Sequence, residues 1–249
     1  MCINKKVVLI TGGANGIGKE IAITLLEKNY TTLVFDINEQ KLADLKIEFP
    51  NINTFTCDVS DYKKVETRIN EVFDLFGKID ILINNAGIIH NEPLVKLSSN
   101  GIHKHSLENW NKVISVNLDS VFNMTSNVVE KMILKRTKGL IINISSISAN
   151  GNAGQTVYSA TKAAVNALTF TWAKELGIMG IRVISISPGF IDINSTHISL
   201  EEEKKKEIIK KIPLRRLGKL KNIVETVLFS IENDYFTGKV IEIDGGIEL

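Results

Sequence analysis

Four apolar residues, Val7-Val8-Leu9-Ile10, run without a polar break into Thr11-Gly12-Gly13-Ala14-Asn15-Gly16-Ile17-Gly18, and an amphipathic stretch follows from Ile17 to about Asn29. An unbroken apolar run is the pattern of a strand buried on both faces, as in a parallel sheet covered by helices. Glycines at the strand-to-helix turn let the backbone approach a pyrophosphate. The helix N-terminus adds unpaired N–H groups and the positive end of its dipole. Tight left-handed turns also need glycine, but a strand before and a helix after weight the nucleotide reading. Gly12, Asn15, Gly16, Ile17 and Gly18 are therefore candidate cofactor contacts.

The same alternation continues along the chain. A second strand, Thr32–Phe35, ends on Asp36, whose carboxylate can accept from a ribose diol and would repel a 2′-phosphate. Asn15 offers that phosphate no positive charge. Capping the helix near Asn38 is the bland alternative for Asp36, and the glycine turn upstream favours the ribose. A helix (Glu39–Phe49) and a strand (Asn53–Cys57) lead to Asp58-Val59, placed to hold an adenine. Asp58 serves equally well as an N-cap for the helix from Asp61. The strand Ile79–Ile83 runs into Asn84-Asn85-Ala86-Gly87, small enough for a ribose to approach, although buried asparagines also tie strands together.

A polar stretch from Ile88 to Leu107 reads as a long loop, which in a compact α/β domain is functional or mobile. One helix is expected from Leu107 to about Lys135, with Asn117 an unfavourable polar residue midway. The buried strand Lys138–Ser146 ends on Ser145-Ser146. Tyr158 and Lys162, four apart, then share a helix face. An ammonium near a phenol favours the phenolate, which brings the tyrosine from its usual value of about 10 towards working pH. Such a group can pass a proton to or from an alcohol or ketone oxygen. The spacing alone also fits a half-exposed tyrosine beside a solvated lysine. Strand Ile181–Ser187 enters Pro188-Gly189-Phe190-Ile191, residues 192–213 read as a small helical lid, and a last helix and strand end in Asp244-Gly245-Gly246.

Seven strands alternating with helices, with no linker and no repeat, predict one doubly wound α/β domain over residues 1–249, a Rossmann-type fold with a mostly parallel sheet. Composition is that of a soluble globular protein: of 249 residues, 44% are hydrophobic and 23% charged. A formal charge of +2 is too small to argue for nucleic acid, and no basic block dominates. The run Glu201–Glu207 reads as a solvated helix face. Cys2 and Cys57 form no disulfide framework or metal spacing. His103 and His105, without a third ligand, read as surface, so no metal is expected. No signal peptide or membrane span is seen, and a cytoplasmic setting is expected.

Taken together, Thr11–Gly18, Asn84–Gly87, Asn117, the strand-end serine, Tyr158-x-x-x-Lys162 and Pro188-Gly189 resemble the short-chain dehydrogenase/reductase family across essentially the whole chain. The resemblance implies Tyr158 as general acid or base and Lys162 as its partner and ribose ligand. It also implies a serine polarising the substrate oxygen and Asn117 supporting a water. Cofactor contacts are implied at Gly12, Asn15, Gly16, Ile17, Gly18, Asp36, Asp58, Val59, Asn85, Ala86, Gly87, Tyr158, Lys162, Pro188, Gly189 and Ile191. Counting along the strand selects Ser146, counting back from Tyr158 selects Ser145, and the stiffer strand register favours Ser146.

Where many relatives have a threonine for the carboxamide, this chain has Ile193. That contact then falls to the Ile191 backbone or to Asn194, Ser195 or Thr196. In wording the chain is similar to the family's 3-oxoacyl-carrier-protein reductases. Against them it has a longer loop at Ser98–His105 and only one of two carrier-docking basic residues, Arg136, with Met179 at the other position. The expectation is an oxidoreductase moving hydride between NAD(H), less readily NADP(H), and a small-molecule secondary alcohol or ketone. The rivals are an NADPH-dependent 3-oxoacyl-carrier-protein reductase of fatty-acid synthesis and a non-enzymatic nucleotide sensor or scaffold. Family resemblance further implies a homotetramer, with neither a membrane nor a nucleic-acid partner.

Overall fold

The computed structural model describes residues 5–193 and 202–248. Seven strands form one parallel sheet: β1 (Val7–Thr11), β2 (Thr31–Asp36), β3 (Asn53–Thr56), β4 (Ile81–Asn84), β7 (Gly139–Ile144), β8 (Ile181–Pro188) and β9 (Lys239–Ile243). Their spatial order is β3-β2-β1-β4-β7-β8-β9, with every pairing parallel. The chain builds outward from β1 to β3, then returns to the other side of β1 and builds outward again. The reversal between β1 and β4 opens a crevice at the carboxyl strand ends, where ligands bind in such sheets. The doubly wound fold expected from the alternation is the one observed.

Period-two alternation divides the apolar strand residues between two cores. Val8, Ile10 and Val34 pack with Ile21 and Leu25 of α1 (Gly16–Glu27) and Leu42 of α2 (Glu39–Glu48). Ile223 and Val227 of the C-terminal helix Leu220–Glu232 join the same core. Val7, Leu9, Leu33 and Phe35 face the other way. They meet Ile69 of α3 (Tyr62–Phe76) and Met124 and Val128 of α5 (Ser120–Leu134). Both faces are thus dry, which is why the strands read as continuous apolar runs. No helix among the described residues is long and apolar enough to cross a membrane.

Buried amides in this core are tied to one another, while Asn84 Oδ1, Thr32 Oγ1 and Ser187 Oγ have no hydrogen-bond partner. Asn84 Nδ2 donates to Asn143 Oδ1 at 2.9 Å and to Thr125 Oγ1 at 3.0 Å, and Asn143 Nδ2 donates to Thr169 Oγ1 at 2.9 Å. The chain of bonds ties β4 and β7 to α5 and to α6 (Thr156–Leu176), the helix carrying Tyr158 and Lys162. The site therefore stands on an internal polar ladder, in a dry interior where unpaired amides would be costly.

Several expectations need correction. The stretch from Ile88 to Leu107 is not all loop, because Val95–Ser98 (β5) and Gly101–Lys104 (β6) pair as an exposed antiparallel hairpin. Alternation along Val95-Lys96-Leu97 and a Gly at 101 are the signals for it. Nor is the helix after Leu107 continuous. α4 (Leu107–Ile114) passes into a π-helical turn, Ser115–Asp119, before α5 begins. The capping alternatives also fail. Asn38 caps α2 through the Lys41 N–H, and Asp61 caps α3 through Lys63 and Lys64. Within the expected lid, Glu202–Lys211 (α7) is helical, which makes the C-terminal helix α8. Asn194, Ser195 and Thr196 lie outside the described residues.

Candidate active site

The glycine turn is held where a dinucleotide would need it. Gly12 adopts φ +62°, and a Cβ there would stand 2.8 Å from the Ala86 Cα, so β1 and β4 approach too closely for any side chain. A Cβ on Gly18 would collide with the Gly12 carbonyl and come within 2.5 Å of Asn85 Nδ2. Gly16, at φ +55°, faces open space. Asn15 occupies the N-cap position of α1 but makes no side-chain cap, so the first N–H groups of the helix have no side-chain acceptor. Bare backbone and uncapped N–H groups fit a pyrophosphate. Asp36 Oδ2 accepts from the Ala14 N–H at 3.1 Å and Oδ1 from the Asn38 N–H at 3.0 Å, which fixes the carboxylate at the tip of β2 beside the turn.

Asn85 settles into the structural alternative. Its Nδ2 donates to the carbonyls of Thr11 and Gly12, both at 3.0 Å, while Thr11 Oγ1 accepts from the N–H groups of Asn85 and Ala86. The side chain thus braces the glycine turn while also lining the cavity beside it. Asp58 turns back on Ser60, accepting from its N–H at 3.0 Å and its hydroxyl at 2.6 Å. Val59 is buried beside it, and its carbonyl accepts from Asn123 Nδ2.

A cavity of about 660 Å³ opens at the strand ends. It brings together Ile17, Asn85, Gly87, Ser146, Tyr158, Lys162, Pro188, Gly189 and Ile191 from the predicted set. Asn117 lies just behind, fully buried, with Oδ1 accepting from the Ile88 N–H at 2.8 Å and Nδ2 donating to the Ile88 carbonyl at 2.9 Å. The π turn explains how a mid-helix asparagine reaches that far, since the extra residue in the turn reorients it. A Cβ on Gly87 would stand 3.3 Å from Asn117 Oδ1 and 3.7 Å from Lys162 Nζ, so glycine there leaves these two side chains uncrowded.

The two serines separate cleanly. Ser145 Oγ donates to the Lys162 carbonyl at 3.0 Å and is buried in the helix–strand packing. Ser146 faces the cavity and caps the following turn through the Ser148 N–H. Lys162 is 5% exposed and donates from Nζ to the Ile144 carbonyl at 2.8 Å, with the ammonium 5.7 Å from the centre of the Tyr158 ring. Burial lowers its pKa to about 8.

Here the expected phenol shift is reversed. Burial pushes Tyr158 up from its usual value, and the opposing pull comes from the Ser146 hydroxyl rather than from Lys162. Desolvation outweighs an ammonium already engaged by a carbonyl. The outcome is a protonated phenol beside a lysine that changes charge near pH 8, an arrangement suited to giving a proton to a carbonyl oxygen.

Sequence reasoning missed several supports. Ser148 Oγ donates to Gln155 Oε1 at 2.8 Å, and Gln155 Nε2 donates to Asn91 Oδ1 at 2.8 Å, which stitches the loop before α6 to the segment after β4. Asn91 and Gln155 have no motif to mark them, being joined only by folding. The lid helix α7 adds Ile208 and Lys211 to the cavity. Ile193, in place of a threonine, packs on the apolar core and lines the cavity.

With fold and site in view, a family model described as short chain dehydrogenase matches residues 6–205. The chain belongs to that family and is an oxidoreductase of it. Full-length relatives agree. The 3-oxoacyl-(acyl-carrier-protein) reductase of Thermotoga maritima is 39% identical over 254 residues, covering 99% of both chains. That of Buchnera aphidicola is 36% identical over 252 residues, again 99% of each. A Staphylococcus aureus reductase of the same name is 36% identical over 250 residues, 97% of this chain and 98% of its own.

The lysine sets a pH prediction. Its charge is complete below pH 8 and lost above it, so kcat/KM for carbonyl reduction should hold below pH 8 and fall as pH rises through it. Lys162→Arg, whose charge does not titrate in this range, should remove that break. A wild-type profile flat through pH 8 would contradict the assignment.

Proposed function

We propose that this protein reduces the 3-oxo group of an acyl thioester carried on acyl carrier protein to a 3-hydroxy group. The observation carrying this is the near-complete alignment, at 36–39% identity, with reductases named for that substrate. The cavity agrees with it. Its lining includes the apolar Ile88, Phe190, Ile193 and Ile208, which an acyl chain can pack on, beside the polar Asn91, Asn152, Gln155 and Lys211. The broader expectation of any secondary alcohol or ketone narrows accordingly. For docking the carrier, Arg136 stands at the end of α5 at φ 52°, and Met179 remains uncharged and 39% exposed.

In this reading the glycine turn and Lys162 would hold a nicotinamide dinucleotide, whose chemistry when bound would be hydride donation to the substrate carbonyl carbon. Tyr158 gives its phenolic proton to the carbonyl oxygen as negative charge develops there. The Ser146 hydroxyl donates a hydrogen bond to the same oxygen, and Lys162 positions the cofactor ribose and stabilises the phenolate left behind. Asn117 fixes the Ile88 backbone beside Lys162, which keeps that wall in register.

Choice of nucleotide rests on one local feature. Asp36, anchored at the tip of β2, faces any 2′-phosphate with negative charge, and Asn15 brings no cation to offset it. That favours NAD(H) over NADP(H) for this reductase.

Acetoacetyl thioesters and simple ketones, each with NADH and with NADPH, test both parts. The thioester should be preferred by roughly tenfold or more in kcat/KM, with NADH ahead, and Asp36→Ala should erode the NADH advantage. Simple ketones turned over equally well would overturn the substrate reading. A strong NADPH preference in the wild type would overturn the role given to Asp36.

A further inference from the structure

His90, Glu92 and His105 converge at the base of the β5–β6 hairpin, outside the proton-transfer site. His90 Nε2 lies 2.8 Å from Glu92 Oε2, His105 Nε2 lies 3.7 Å from the same oxygen, and the three ligand atoms fall within 4.8 Å of one another. The His105 side chain is only 6% exposed, and its Nε2 is buried with no hydrogen-bond partner. The other ring nitrogen, Nδ1, sits 3.1 Å from the Glu92 carbonyl oxygen. A carbonyl can only accept, so Nδ1 carries a hydrogen. In the neutral tautomer Nε2 turns a lone pair towards the Glu92 carboxylate, an arrangement that a bound cation would satisfy.

We propose that these three residues form a binding site for a divalent transition metal of the zinc type, with His90 Nε2, Glu92 Oε2 and His105 Nε2 as ligands and a water completing the tetrahedron. The donor set is the nitrogen and oxygen chemistry zinc takes. Ligand atoms about 2.0–2.1 Å from a tetrahedral centre stand about 3.3 Å apart; the two separations to Glu92 Oε2, 2.8 and 3.7 Å, straddle that value, and all three lie within 4.8 Å. A proton on Nε2 would satisfy only the His105–Glu92 pair, whereas three groups converge.

Surrounding contacts are those of an oriented site. His105 is fixed through Nδ1 by a backbone carbonyl, the usual outer partner of a metal-bound imidazole. Glu92 is held by His90, by the Ser106 N–H at 2.9 Å and by Asn109 Nδ2 at 3.2 Å, which together keep its carboxyl ionised with a pKa lowered to about 2. The Trp110 ring covers His105 edge-on at 6.0 Å and shields it from water. Metal binding would move the His90 proton from Nε2 to Nδ1, so no net proton need be released.

The location gives the site a consequence. Asn91, between two of the ligands, lines the active-site cavity, and Glu92 bridges to Gln155 on the cavity's other wall. A metal here would clip the hairpin base to the substrate side of the cavity. Ligands from both ends of a hairpin are invisible to spacing rules, and the sequence-based pairing of His103 with His105 is corrected: His103 is exposed and bonds Ser98 within the hairpin.

The test uses the full chain without a histidine tag, stripped with chelator and titrated with Zn²⁺, with Co²⁺ as a spectroscopic substitute. One zinc per chain is expected, together with visible cobalt bands of a tetrahedral nitrogen–oxygen site. His105→Ala should weaken zinc binding by tenfold or more, and His103→Ala should leave it unchanged. If His105→Ala fails to fold, His90→Gln at the more exposed rim should show the same loss. Absence of stoichiometric zinc would overturn the proposal, as would equal losses in His103→Ala and His105→Ala. A metal-free His105 that NMR shows protonated at both nitrogens and unmoved by zinc would do so too.

Discussion

A buried ammonium is the constraint around which the site is arranged. Lys162 gives up nearly all its hydration and retains one carbonyl, Ile144, at the end of β7. Lowering its pKa from 10.5 to about 8 corresponds to roughly 3 kcal/mol of disfavoured charge. Since the unfolded chain holds the extra proton between those values, this residue costs stability below pH 8 and stops costing it as pH rises towards 10.5. A core selected only for stability would place an apolar residue here. The surroundings instead keep the position open: Gly87 has no side chain, Asn117 is drawn aside to Ile88, and Ser145 fixes the helix by accepting the strain-free role of donor to the Lys162 carbonyl.

The fold delivers this geometry with rigid parts. Strand order reverses between β1 and β4, so the glycine turn and the end of β4 meet side by side. Asn85 and Thr11 then lock the two together. β7 supplies Ser146 and the carbonyl that Lys162 needs, and α6 supplies Tyr158 and Lys162 one turn apart. The Asn84–Asn143–Thr169 ladder sets that helix against the strands. The exposed β5–β6 hairpin stands apart from this frame, and α7 adds Ile208 and Lys211 to the cavity.

Legibility in the sequence followed the range of the interaction. Buried strands, the glycine turn and the Tyr158–Lys162 pair are local patterns, and all could be read directly. Ser146 over Ser145 came from strand register, because a strand passes its alternation to its last residue. The π turn at Asn117 left no mark, since a helix with one extra residue per turn keeps nearly the same composition. Direction of the Tyr158 shift was misread because charge spacing is visible in sequence and desolvation is not. His90, Glu92, Asn91 and Gln155 were missed because only the closed hairpin and the docked α6 bring them together.

The central claim is that Tyr158, kept protonated by burial, is the proton donor of a reductase. Tyr158→Phe tests it most directly, because it removes one oxygen from a buried ring and leaves the packing in place. Measured on acetoacetyl thioester with saturating cofactor, the account predicts a kcat reduced by roughly 10²–10⁴-fold, with cofactor affinity and thermal stability close to wild type. A variant that keeps the wild-type kcat while folded and cofactor-bound would contradict it.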